Sequence, residues 1–136
     1  MAEQPADAPN RGAPTLLLVV EDEALVRVIV ADFLRGSGFS VMEAATADEA
    51  IRMLRRHRDI RLVLTDVLMP GALNGFDLAE WLAHHRPGVR VLLTSGYLGD
   101  LDLPSRLNWT ERLIRKPYRL HDVADRIRTL LAEPGR

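Results

Sequence analysis

Short apolar runs alternate along this chain with stretches whose apolar residues recur every three to four positions, and that alternation leaves few folds open. The runs are Thr15 to Val20, Phe39 to Ala44, Leu62 to Leu68, Val89 to Leu93 and the briefer Arg112 to Arg115. Between and after them come Val26, Ile29, Val30 and Phe33, then Ala47, Ala50, Ile51 and Leu54, then Leu78, Ala79 and Leu82, and last Leu120, Val123, Ile127 and Leu130. An apolar run without polar alternation reads as a strand buried on both faces, and the three-to-four spacing reads as a helix with one apolar stripe. Strands and helices in alternation imply a parallel sheet covered on both sides, with right-handed crossovers. For five strands the expected doubly wound α/β order is 2-1-3-4-5, which makes the first and third strands neighbours.

Local signals punctuate the elements. Gly36-Ser37-Gly38 closes the first helical stretch with a residue suited to a left-handed cap. Thr46-Ala47-Asp48-Glu49 has the spacing of a capping box, Asn74 is placed to cap the third helix, and Pro87-Gly88 ends it. The basic cluster Arg55 to Arg58 reads as a solvated helix end. Residues 1–14, rich in Ala, Pro, Asp and Gly, read as a disordered tail. One folded domain is expected over residues 15–132, followed by a short tail, 133–136. From Tyr97 to Trp109 the pattern is mixed, and a short or irregular helix is expected there.

Composition removes several classes of function. The 136 residues suit one domain, and the 47% apolar and 27% charged fractions suit a soluble globular protein. A net charge of -1 gives no general attraction to nucleic acid or anionic membrane. No cysteine is present, which excludes disulfides, thiolate nucleophiles and cysteine zinc sites. His57, His84, His85 and His121 lack metal-site grouping, and no secretory signal or membrane-spanning run is evident, so a cytoplasmic protein is expected.

The chemistry concentrates at strand ends. Leu62 to Thr65 runs into Asp66 and then breaks at Pro70-Gly71, which places Asp66 at the carboxyl end of a buried strand, where open α/β sheets bind ligands. In the order 2-1-3-4-5, Glu21 and Asp22 follow the strand beside it, Thr94 follows strand four and Lys116 follows strand five. Three carboxylates gathered there repel by roughly 4 kcal/mol per close pair at an effective dielectric of about 20. A hard divalent cation with oxygen ligands offsets that repulsion, and Mg2+ suits a site that keeps waters and binds phosphate oxygens. With a cation on one side and the Lys116 ammonium on the other, Asp66 becomes a nucleophile toward a phosphoryl group.

With these residues in view, the chain resembles the receiver domain of bacterial two-component response regulators. The matching blocks are Val20-Glu21-Asp22-Glu23, Asp66 to Gly71 with Asn74-Gly75, Leu93-Thr94-Ser95-Gly96-Tyr97 and Lys116-Pro117-Tyr118, in family order and spacing over about Thr15 to Ala132. The resemblance implies the flavodoxin-like receiver fold, with Asp66 as phosphoacceptor. It implies Glu21, Asp22, Asp66 and the backbone carbonyl of Leu68 as Mg2+ ligands, and Thr94 and Lys116 as groups that contact the phosphoryl group. It further implies a cis peptide before Pro117, and a sensor histidine kinase or histidine phosphotransfer protein as donor. Many receivers carry an aromatic residue three positions before the lysine, where this chain has Leu113. The Thr-Ser-Gly-Tyr block is similar to receivers attached to hybrid sensor kinases.

Only Glu133 to Arg136 follow the last helix, so a stand-alone receiver is expected. It would signal to a protein target by docking, as a monomer or weak homodimer, and would catalyse no metabolic reaction of its own. Two other readings stand beside this one. One is a receiver-fold interaction module that works without phosphate. The other is a magnesium-dependent phosphohydrolase, which usually needs a second acid two residues beyond its nucleophile, where this chain has Leu68. The same Leu68 offers no polar side chain to orient water, so a long-lived phosphoryl-aspartate is expected.

Overall fold

The computed structural model describes residues 13–69, 71–96 and 112–133. The expectations for residues 1–12, for the Tyr97 to Trp109 segment and for the last three residues lie outside the described residues. Five strands run in chain order as β1 (Leu16–Val20), β2 (Ser40–Ala44), β3 (Ile60–Asp66), β4 (Arg90–Ser95) and β5 (Leu113–Arg115). The described helices are α1 (Ala24–Gly36), α2 (Ala47–Arg56), α3 (Gly75–His85) and α4 (Leu120–Ala132). All strand pairs are parallel and the order is β2-β1-β3-β4-β5, as the alternation of strands and helices requires.

Successive side chains of a strand point to opposite faces, so each buried strand feeds two cores at once. Leu18, Val20, Val63, Val91 and Leu93 pack with Ala47, Ala50 and Leu54 of α2 and with Leu78, Ala79 and Leu82 of α3. Leu17, Val19, Leu62, Leu64, Leu92 and Ile114 pack with Val30 and Leu34 of α1 and with Val123, Ala124, Ile127 and Leu130 of α4. The layers are therefore α2 and α3 on one face and α1 and α4 on the other. Ile29, spaced as part of the α1 stripe, is exposed together with Leu25 and Val28.

The helix ends depart from the sequence reading in one place. Thr46 Oγ1 accepts the Glu49 N–H at 3.1 Å, but the Glu49 carboxylate reaches back to the N–H of Ala45 at 2.8 Å, one residue short of a reciprocal box. A full capping box forms instead at α3, where the Asn74 side chain and Asp77 satisfy each other's backbone amides. Gly38 takes the left-handed conformation that the end of α1 needs, at φ 105°. β3 begins at Ile60, before the expected Leu62, with a register irregularity against β1 between Leu16 and Leu17.

Register is what assembles the functional rim. Val20 lies opposite Thr65, so one residue later come Glu21, just past β1, and Asp66, the last residue of the adjacent β3. Asp66 lies opposite Thr94, and Ser95 lies opposite Arg115, the residue before Lys116. Residues separated by up to 95 positions in the chain thus finish on one edge of the sheet.

Candidate functional site

The backbone around Asp66 is held on both sides. The Val67 N–H donates to the Thr94 carbonyl at 2.9 Å, and the Val67 carbonyl accepts the Gly75 N–H at 2.8 Å. The α3 N-terminus therefore presses against the end of β3. A Cβ at position 75 would lie 2.3 Å from the Asp66 carbonyl oxygen and 2.8 Å from Val67 Cα, so only glycine permits the approach. Thr65, fully buried, donates its hydroxyl to the Asp66 carbonyl at 3.0 Å.

Lys116 donates from Nζ to Asp66 Oδ2 at 2.9 Å and stands 3.9 Å from Glu21 Oε1. It is positioned by the backbone bond from its own N–H to the Ser95 carbonyl, 2.8 Å long, and the Lys116–Pro117 peptide that follows is cis. Glu21 is 6% exposed, Asp66 is half-buried and Asp22 is exposed. One oxygen from each of the three carboxylates lies within 4.8 Å of the others, and among the described residues this is the group able to hold a metal ion.

The electrostatics follow from that crowding. Burial, with the negative charge of Asp66 adding to it, raises the Glu21 carboxyl above its ordinary value; the Glu23 N–H and Lys116 pull the other way without cancelling it. Burial by itself would lower Lys116, but its hydrogen bond to Asp66 and the charges of Asp66 and Glu21 outweigh that and raise it. Burial likewise raises the Tyr118 hydroxyl. A carboxylate that burial and a like charge both penalise is stabilised by a cation placed between them. Three hard oxygen donors fit a magnesium or calcium ion better than a soft metal.

Of the residues singled out from sequence, Glu21, Asp22, Asp66 and Lys116 come together. Thr94 is buried and in register with Asp66, while Leu68 follows in the loop beyond β3 with its side chain exposed. Leu113, where an aromatic was the family expectation, packs beside the α2–α3 core. The histidines stay apart from the site. His84 and His85 set their Nδ1 atoms 3.0 Å from the carbonyls of Glu80 and Trp81, and His121 meets Phe33 edge to face. Sequence reasoning missed Arg27, which donates to the Glu21 carbonyl at 2.8 Å. A helical position five residues after an acid pair carries no mark in the sequence that it faces back toward that pair.

The family model of the response regulator receiver domain matches residues 17–128. A probable transcriptional regulatory protein of Mycobacterium tuberculosis, TcrX, is 32% identical over 125 residues, which cover 91% of this chain and 53% of that protein. The sensor kinase CckA of Brucella abortus is 31% identical over 124 residues, covering 88% of this chain and 13% of the kinase. The chain thus spans about half the length of the transcriptional regulators it matches and a small part of the kinase. Among solved structures, a receiver domain protein from Clostridium thermocellum superposes with a TM-score of 0.77 at 26% identity, covering 86% of this chain and 94% of that one.

Proposed function

Since the chain belongs to the response regulator receiver domain family, we propose that it is a cytoplasmic phosphorylation switch whose acceptor is Asp66. The observation that carries this reading is the 2.9 Å bond from Lys116 to Asp66 inside a group of three converging carboxylates. The donor is a phosphohistidine on a sensor kinase or a histidine phosphotransfer protein. An Asp66 carboxylate oxygen attacks phosphorus, the donor's N–P bond breaks, and its electron pair stays on the imidazole nitrogen, which takes up a proton.

Glu21, Asp22, Asp66 and the Leu68 carbonyl would hold Mg2+, which when bound supplies positive charge against the phosphoryl oxygens. Lys116 gives up its bond to the free carboxylate and pairs with a phosphoryl oxygen, and the Thr94 hydroxyl turns toward the same group. Catalysis here is positioning and charge neutralisation, which needs no histidine or cysteine in the receiver. The phosphorylated protein signals by docking to a protein target through the face of β4 and β5, near whose carboxyl ends Thr94 and Lys116 lie.

The test is incubation with acetyl phosphate and Mg2+ followed by intact-mass measurement. The wild type gains one phosphoryl group, and omission of Mg2+ or the Asp66→Asn substitution abolishes the gain. A folded Asp66→Asn protein that still takes up a phosphoryl group refutes the site. If Asp66→Asn leaves partner binding unchanged, the phosphate-independent module is the better account.

A further inference from the structure

Glu21 is tied at every polar group of its backbone and at one carboxylate oxygen. Its N–H donates to the Ala44 carbonyl at 3.0 Å, and its Oε2 accepts the Glu23 N–H at 3.1 Å. The remaining tie, to its carbonyl, comes from a side chain: Arg27, on the first full turn of α1, donates from one terminal nitrogen at 2.8 Å. The same guanidinium donates from Nε to Glu43 Oε1 at 3.3 Å, and its side chain is only 20% exposed.

Glu43 is itself fixed. Its second oxygen accepts from Arg35 at 3.0 Å, and that guanidinium also bonds Asp32 and the Val41 carbonyl. A rigid fork with two occupied arms has little freedom to swing away, and a lysine cannot reproduce it because its ammonium is a point donor. The chain of contacts runs from the edge strand β2, through Glu43 and Arg27, to the carbonyl of Glu21, the first residue of the turn Glu21-Asp22-Glu23 that follows β1.

Resting on the reading that Glu21 and Asp22 hold Mg2+, we infer that Arg27, braced by Glu43, is a positioning residue that sets the affinity of the acid pair for the ion. Arg27 touches neither carboxylate and acts through the backbone of the turn. Two effects of removing it have opposite signs. Deleting a positive charge near a cation site tightens cation binding through space, whereas releasing the Glu21 carbonyl loosens the turn and weakens it. Groups that orient metal ligands typically change affinity by about 10-fold or more when removed. The inference requires that loss to exceed the through-space gain, so the sign of the change is diagnostic.

The experiment is calorimetric titration of the full chain with Mg2+ for the wild type, Arg27→Ala, Arg27→Lys and Glu43→Gln. Circular dichroism establishes that each variant is folded. Arg27→Ala is expected to raise the Mg2+ dissociation constant about 10-fold, with Arg27→Lys and Glu43→Gln shifted less in the same direction. With acetyl phosphate, the Mg2+ concentration for half-maximal phosphorylation moves by the same factor, a shift that general loss of stability does not produce. A folded Arg27→Ala protein that binds Mg2+ as tightly as the wild type, or more tightly, overturns the inference. If Arg27→Ala does not fold, an unchanged Mg2+ affinity in Arg27→Lys and Glu43→Gln overturns it instead. Failure of the wild type to bind Mg2+ at all would sink the proposed metal site, a different result from equal binding by wild type and variants.

Discussion

Gly75 shows how closely the acceptor is framed, because the nearest atom to any added Cβ is the carbonyl oxygen of Asp66 itself. Backbone cannot swing aside as the tip of a flexible side chain can. Gly75→Ala should therefore cost about 1–3 kcal/mol of stability in denaturant titration, as overpacking generally does. Because the shift falls on Asp66, it should also slow phosphorylation. Glu21 supplies a second test, with a sign fixed by linkage. Its folded-state value is raised, so between the unfolded carboxyl value, about 4.3, and the raised one, the folded chain holds a proton that the unfolded chain has released. Metal-free stability falls as pH rises through that window, and the loss is complete above it. Metal-free Glu21→Gln should then melt higher than the wild type at neutral pH, the gap closing in acid below the ordinary carboxylate value. Added Mg2+ should raise the wild-type midpoint and not that of Glu21→Gln. Identical pH profiles for the two metal-free proteins would contradict the burial of a charged carboxylate.

The helices and strands were largely legible because their signals are local. The apolar stripes of α2, α3 and α4 follow directly from the positions of Ala47, Leu54, Leu78, Leu82, Val123 and Ile127, all of them buried. What was hidden depends on partners far along the chain. Glu49 has the right spacing for a reciprocal cap, yet its carboxylate goes to Ala45, whose N–H needs an acceptor just as the cap residue's does. Exposed Arg61 breaks the apolar pattern ahead of Leu62, so the start of β3 could not be read from hydrophobicity, although Ile60 is buried and pairs with Leu16. At α3 the complete box makes a sharp expectation. Asn74→Ala should cost about 1 kcal/mol in thermal or denaturant unfolding. Since α3 opens against the backbone next to Asp66, hydrogen exchange should quicken at the Gly75 amide as well.

Taken whole, the molecule is a parallel sheet whose register brings four charged side chains to one edge while two separate cores hold the strands level. The carboxylates were readable because a strand end is a local event; that they converge was readable only once the strand order had been argued. Arg27 and the Gly75 contact were not, since both are properties of packing between elements. On the proposed function, a phosphoryl group at this edge would bias the face of β4 and β5 by differential contacts with Lys116 and Thr94. Complete switching from 1:99 to 99:1 would require about 5.5 kcal/mol, so partial switching is expected.

The central claim is that Asp66 carries the phosphoryl group. Borohydride reduction of the phosphorylated protein, followed by peptide mapping, tests it most directly, because an acyl phosphate on aspartate is reduced to homoserine. Homoserine is expected at position 66 and nowhere else, and none without Mg2+. Homoserine at another aspartate, or a stable phosphate on serine, threonine or histidine with position 66 unchanged, would contradict it.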